Sequence, residues 1–129
     1  MIDNFGNLIN PLLVKRNVHG VAVQGIGQAQ FEQVIYDEDD QVFTVSFMDY
    51  AMLRADNVTM IYFDTKTTVS LQNLMGMTDC DEASTVGALA AITNVVQDAI
   101  WDLDMREVQM PFNLYRVWQI LQRSNYASD

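Results

Sequence analysis

The chain has 129 residues, half of them hydrophobic and 19% charged, which suits one domain with a real core and argues against global disorder. Its formal net charge of −10, from 17 acidic against 7 basic residues, opposes binding to a phosphate backbone, and the scattered cations make no basic face for a membrane surface. No apolar run approaches the ~20 residues of a membrane span, the acidic start Met1-Ile2-Asp3-Asn4 lacks a signal-peptide core, and a lone cysteine, Cys80, makes no internal disulfide, so a reducing cytoplasm is the expected compartment.

The first predicted element is a long helix. Asn10 suits its N-cap and Pro11 its first position. Leu12, Leu13, Val18, Val21, Ile26, Ala29 and Val34 then recur at helical spacing. Three glycines, Gly20, Gly25 and Gly27, fall inside this helix, where each costs ~1 kcal/mol relative to alanine. Their presence points to close approach of a backbone or ligand, with tight helix packing as the plainer explanation. His19, beside Gly20, reads as a packed or hydrogen-bonded histidine.

Asp37-Glu38-Asp39-Asp40 reads as a solvated turn, since the glycine and closing glutamate of a calcium loop are missing. Residues 41–47 and 58–64 alternate well enough for two strands, the second extending toward Val69. A loop, Leu74 to Ser84, leads to a second helix capped by Ser84 or Thr85 and running to about Leu103. Val86, Ala90, Val95, Ala99, Ile100 and Leu103 form its expected buried face. Met110-Pro111 breaks the chain, and Asn113 caps a last short helix with Leu114, Val117, Trp118 and Leu121 inward. Trp101, Trp118 and most of the eight methionines are expected in the core. The predicted fold class is α+β: one domain over residues 1–123, with a long glycine-containing N-terminal helix, a strand-rich middle and two C-terminal helices, followed by a frayed tail at 124–129.

Three stretches, in order and in register, carry a resemblance. The first is Ile9-Asn10-Pro11-Leu12, Val18-His19-Gly20 and Gln24-Gly25-Ile26-Gly27-Gln28-Ala29. The second is Ser46-Phe47-Met48-Asp49-Tyr50-Ala51 with Arg54-Ala55-Asp56. The third runs from Asn73-Leu74-Met75-Gly76 through Glu82-Ala83, Thr85-Val86-Gly87-Ala88, Asn94-Val95-Val96 and Met110-Pro111 to Arg116-Val117-Trp118. Together they resemble the C-terminal portion of the molybdopterin-binding large subunit in the xanthine dehydrogenase, aldehyde oxidoreductase and aerobic carbon monoxide dehydrogenase family. The carbon monoxide dehydrogenase large-chain branch is the nearest in pattern.

The resemblance implies an oxidoreductase that oxidises a small carbon substrate (carbon monoxide, an aldehyde or an N-heterocycle) with oxygen from water. It implies a molybdenum–molybdopterin cofactor, in bacteria usually the cytosine dinucleotide form. FAD and 2Fe–2S clusters are expected on partner subunits, beside the remaining molybdopterin-binding chain. Gln24 matches the family's cofactor-approaching glutamine, and Gly25 and Gly27 match glycines that let the backbone come close. Glu82 matches the active-site glutamate, a general base placed to accept a proton as oxygen is delivered to the substrate. None of these residues is a direct metal ligand.

The sequence departs from the pattern around that glutamate. The family's glycine-rich run is Thr78-Asp79-Cys80-Asp81 here, and the glycine after Glu82-Ala83 is Ser84. Glycine permits backbone angles and close approaches that aspartate restricts, and the added acids repel a pterin diphosphate. Three adjacent acids would also raise the Cys80 thiol pKa, and four neighbouring residues rarely converge on one cation. The run therefore reads as a solvated acidic loop. At this length the chain is expected to act only together with other chains. It reads as part of a molybdenum hydroxylase or as a non-catalytic remnant serving as a small binding, assembly or homodimerising module.

Overall fold

A computed structural model describes residues 2–79, 83–103 and 108–126. Strand β1 (Ile2–Asp3) opens the chain and helix α1 (Pro11–Gln30) follows. Strand β2 (Asp64–Thr65), helix α2 (Ala83–Ala99) and helix α3 (Leu114–Tyr126) complete the order, with short 3-10 turns at Ala55–Asn57 and Trp101–Leu103. The α+β class holds, with helix far outweighing strand.

α1 starts where its capping chemistry places it. Asn10 is extended, its side-chain oxygen accepts from the Leu13 amide at 3.2 Å, and Pro11 follows at the first position. The helix ends at Gln30, before the expected Val34. There the Phe31 and Glu32 amides both donate to the Gly27 carbonyl, at 2.8 and 2.9 Å, which tightens the last turn. α1 lies on α2. Val18, Ala22, Gly25 and Ala29 are buried along α1, and Ser84, Ala88 and Ile100 are buried along α2 and just beyond it. The step from 18 to 22, 25 and 29 is the helical 3–4 spacing, and its small side chains allow the helix axes to approach.

The expected inward face of α2 is corrected. Ile100 is buried as expected, but Val86, Ala90, Val95 and Ala99 are exposed, and Ser84 and Ala88 are buried in their place. Because α2 carries no charge between Ala83 and Gln97, its sequence does not distinguish one side from the other. α3 differs similarly. Ile120 is its buried residue, whereas Leu114, Trp118 and Leu121 are exposed and Tyr115 stacks on Trp118 at 5.9 Å. Its cap is as expected, with the Arg116 amide donating to the Asn113 side chain at 2.9 Å. α3 continues through Ser124 to Tyr126, which shortens the expected tail. Trp101 is also exposed, as are Met48, Met52, Met60, Met75 and Met110, so neither the tryptophans nor these methionines are core.

The strand-rich middle is the largest correction. Residues 41–47 hold one isolated antiparallel bridge, Tyr36 to Val42, and 58–64 reach strand geometry only at Asp64. β2 pairs in parallel with β1, Ile2 opposite Asp64 and Asp3 opposite Thr65. Phe43, Val45 and Phe47 keep the alternation that predicted a strand, yet all are exposed. Alternation makes a strand only where a neighbouring strand supplies hydrogen bonds and cover, and here the pairing is limited to the Tyr36–Val42 bridge and the Phe43 amide on the Ile35 carbonyl at 2.8 Å. The acidic turn behaves as expected: Asp37 Oδ1 accepts from the Asp39 and Gln41 amides at 2.9 and 2.8 Å.

The candidate cofactor-facing helix and its supports

Gln24 lies in the second half of α1 with its side chain exposed. Its neighbour Gly25 is turned the other way and buried. A side chain at Gly25 would meet the Thr85 carbonyl at 2.6 Å and Ala88 Cβ at 2.9 Å. The Thr85 hydroxyl donates to the Val21 carbonyl at 3.1 Å, adding a polar tie at the same crossing. Gly25 therefore seats the first turn of α2, which in sequence follows directly after Glu82. Glu82 itself lies outside the described residues.

Gly27 faces a different neighbour. A side chain there would stand 2.7 Å from Glu32 Oε1 and 3.5 Å from Leu53 Cβ. The other carboxylate oxygen of Glu32 accepts from the Tyr50 hydroxyl at 2.7 Å. That hydrogen bond, with desolvation and the carboxylate's negative charge, holds the Tyr50 phenol above its ordinary value near 10. The bond ties the end of α1 to the Ser46–Ala51 motif. The motif is itself a compact turn in which Ser46 Oγ donates to Asp49 Oδ2 at 2.7 Å and the Tyr50 amide donates to the Ser46 carbonyl at 2.8 Å. The Glu32–Tyr50 pair was not singled out from sequence. Tyr50 stood in a quoted motif, but nothing in the spacing paired it with Glu32.

The segment approaching Glu82 is held from the N-terminal side. Gly6 and Gly76, both at positive φ, meet back to back: a side chain on Gly6 would collide with the Gly76 carbonyl oxygen. The Asn7 amide donates to that carbonyl at 3.0 Å, and the Asn7 side chain donates to the Met75 carbonyl at 2.9 Å. Asn73 brackets the turn, accepting from the Met77 amide at 3.1 Å and donating to its carbonyl at 2.7 Å. The Thr78 amide donates to the Phe5 carbonyl at 3.0 Å. Asn4 Oδ1 accepts from the Gly6 and Thr68 amides at 3.1 and 2.8 Å. These bonds give several backbone polar groups of an irregular segment partners within the chain.

Two cavities flank the α1–motif junction. One, about 450 Å³, is lined by Phe31, Tyr50, Arg54, Asp56 and neighbours, and the other, about 420 Å³, by His19, Gly20, Val23, Arg54, Met60 and neighbours. His19 packs edge-on to Phe63 at 6.3 Å, and its Nε2 is buried without a hydrogen-bond partner. No group of three or more His, Cys, Asp or Glu side chains stands ready for a metal among the described residues. No described helix is long and apolar enough to cross a membrane.

Comparison with known proteins matches this arrangement to a family. Residues 1–59 match the molybdopterin cofactor-binding domain model. The chain is 40% identical over 98 residues to the gamma subunit of the 6-hydroxypseudooxynicotine dehydrogenase complex of Paenarthrobacter nicotinovorans, which covers 75% of this chain and 12% of that protein. It is 29% identical over 119 residues to the carbon monoxide dehydrogenase large chain of Afipia carboxidovorans, covering 92% of this chain and 15% of that one. Among solved structures, reconstituted CO dehydrogenase from Oligotropha carboxidovorans superposes with a TM-score of 0.91 at 28% identity, over 98% of this chain and 16% of its own. Quinoline 2-oxidoreductase from Pseudomonas putida 86 superposes with a TM-score of 0.88 at 30% identity, over 94% of this chain and 15% of its own. The chain thus spans 12–16% of the relatives it matches. With 40% identity over three quarters of its length and the same fold, it belongs to the family of molybdopterin-binding large subunits of the molybdenum hydroxylases, matching a segment of that subunit.

Proposed function

We propose that this chain contributes one wall of a molybdenum–molybdopterin site and works together with the rest of a large subunit. FAD and 2Fe–2S partner subunits would carry the electrons away, and the assembled enzyme would act in the cytoplasm on a small carbon substrate. The observation that carries the reading is the exposed carboxamide of Gln24 on a helix whose neighbouring glycines are turned inward. A carboxamide both donates and accepts hydrogen bonds, which suits the amide-like edges of a pterin. Gly25 and Gly27 have their spaces filled by Thr85, Ala88 and Glu32. We assign them a supporting part: they let α2 and Glu32 seat so that Gln24 is presented outward.

The cofactor, when bound, supplies the two-electron chemistry. Glu82 is proposed, by resemblance, as the base that accepts a proton during oxygen transfer. A carboxylate serves this role when hydrogen-bond reach and protonation state both match the task. In sequence Glu82 lies between two anchored residues, Thr78 on Phe5 and Thr85 on Val21.

The test is molybdenum and pterin content of the protein purified from its native host, with co-purifying chains identified by mass spectrometry. Molybdenum in the presence of a larger molybdopterin-binding chain is the expected result, and Glu82→Gln should then abolish turnover. A metal-free protein without such partners would sink the reading. A second reading, a cofactor-free assembly module, is favoured by Asp79 and Asp81 beside Glu82 in a chain of net charge −10. That acidity works against an anionic dinucleotide.

A further inference from the structure

The two ends of α1 are closed by different means. Its start is capped within one turn by Asn10. Its end has no basic residue in the last turn, and two of its last carbonyls find partners outside the helix. The Gly27 carbonyl accepts from the Phe31 and Glu32 amides, and the Ala29 carbonyl accepts from the Phe112 amide. Gly25 and Gly27 both fall close to this end, where each weakens the helix relative to alanine. Helix ends fray, and one with two glycines frays readily unless a contact from outside holds it.

Glu32 holds it at two points. Its amide donates to the Gly27 carbonyl at 2.9 Å, and its carboxylate lies against Gly27, with Oε1 2.7 Å from where a side chain would begin. That placement is not favourable by itself. The helix dipole opposes a negative charge at a C-terminal end, and Glu32 is only half-buried, so water competes for its carboxylate. The donor that offsets both is the Tyr50 hydroxyl, at 2.7 Å from Glu32 Oε2. Tyr50 is fixed in turn by its own motif, where the Tyr50 amide donates to the Ser46 carbonyl at 2.8 Å and the Met48 amide donates to Ser46 Oγ at 3.2 Å. Gln24 stands one turn before Gly27, and by helix geometry its carbonyl accepts from the Gln28 amide. Fraying that passes Gly27 therefore reaches the backbone that aims the Gln24 side chain.

We propose that Tyr50 is a positioning residue for Gln24: acting through Glu32, it holds the last turns of α1 closed so that the Gln24 carboxamide is presented in one direction. The purpose of that presentation, contact with a pterin, rests on the reading given above. The hold itself rests on the contacts of Tyr50, Glu32 and Gly27 alone.

The test reads backbone order by NMR relaxation of the amides in the intact 129-residue chain, with no cofactor present. Tyr50→Phe should lower the order parameter from Gln24 to Gln30 from about 0.85, the level of a rigid helix, to about 0.6. Val14 to Val18 and α2 should stay at the parental level. Glu32→Ala should reproduce the loss, and Glu32→Gln, whose carboxamide oxygen still accepts from Tyr50, should keep the parental order. A contact that merely stabilises the fold would lower the thermal midpoint and leave order in the folded state unchanged. Parental order in both Tyr50→Phe and Glu32→Ala overturns the proposal, as does a loss spread evenly over α1 and α2, or a Glu32→Gln variant as disordered as Glu32→Ala. Should Tyr50→Phe not fold, the two Glu32 variants decide. Pterin content is then measured in the assembled enzyme from the native host. Tyr50→Phe and Gln24→Ala should both fall below the parent there, with Glu32→Gln retaining its pterin. Loss of pterin in Gln24→Ala but not in Tyr50→Phe would overturn the positioning role, whereas full pterin in Gln24→Ala would sink the reading of Gln24 and leave the hold on the helix end standing.

Discussion

Gly20 and Gly25 stand on the same helix, in the same backbone conformation, and have opposite surroundings. The space beyond Gly25 is filled by the first turn of α2, while no other described residue comes within 4 Å of the space beyond Gly20. Sequence treats them alike, as two residues that weaken a helix. Structure separates a glycine whose space a neighbouring helix fills from one whose space no described residue fills. The same methyl group, added at each, should therefore change stability with opposite signs.

The comparison is broken or sharpened by adding that methyl group wherever the space differs. The largest effect is expected at Gly6, where φ is +62° and a side chain would collide with the Gly76 carbonyl. Backbone strain and overpacking together should make Gly6→Ala cost about 3 kcal/mol. A urea titration would read this as a lower midpoint with an unchanged slope. Gly25→Ala should come next. The clash with Thr85 and Ala88 outweighs the gain in helix propensity, for a net loss of roughly 1–2 kcal/mol. A Gly25→Ala variant as stable as the parent would show that the helices slide apart cheaply.

Gly27→Ala should be close to neutral in stability, because the clashing atom is the end of the flexible Glu32 side chain. Its effect should appear at Tyr50 instead. With Glu32 displaced, the Tyr50 phenol should titrate lower, nearer its ordinary value, as also in Glu32→Ala, and tyrosine-selective NMR would follow it. The sign for stability follows from the raised folded-state pKa. The Glu32–Tyr50 contribution is fully present below the unfolded tyrosine value near 10 and is lost as pH rises through the higher folded value. Tyr50→Phe should remove that alkaline loss, at a cost of about 1 kcal/mol for the missing hydrogen bond at neutral pH. A Tyr50→Phe variant with the parent's alkaline profile would refute the pairing. The smallest effect is at Gly20, where Ala should stabilise the free chain by roughly 0.5–1 kcal/mol. A loss there would mean that the space is not open.

What was legible in sequence follows from where the physics is local. The start of α1 was readable because Asn10 and Pro11 act within one turn, and the cap of α3 was readable at Asn113 for the same reason. The three motifs placed the chain in its family because they record contacts beyond any single element. The faces of α2 were not readable. Without a charge between Ala83 and Gln97, Val86 and Val95 are as apolar as Ala88, and only packing on α1 decides which side is inside. Residues 43–47 misled for a related reason. Phe43, Val45 and Phe47 carry a strand's alternation, but a strand is a property of two segments, and among the described residues the pairing goes no further than the Tyr36–Val42 bridge and its Phe43–Ile35 bond. Of the candidate site, Gln24 and the two inward glycines are described. The tie from Gly27 through Glu32 to Tyr50 joins two motifs that nothing in the sequence shows to be in contact.

The amide of Phe112 donates to the Ala29 carbonyl at 2.7 Å, closing the end of the first helix with a residue from just before the last. During synthesis, α1 and α2 can associate once Ala99 has left the ribosome, whereas the last turn of α1 gains this partner only after Phe112 emerges. The Phe5 carbonyl likewise waits for the Thr78 amide, which emerges before α2. Contacts between residues so distant in sequence slow folding, and the C-terminal end of α1 is completed later than its locally capped start. A nascent chain stalled before Phe112 would thus carry a frayed helix end immediately after Gln24, Gly25 and Gly27.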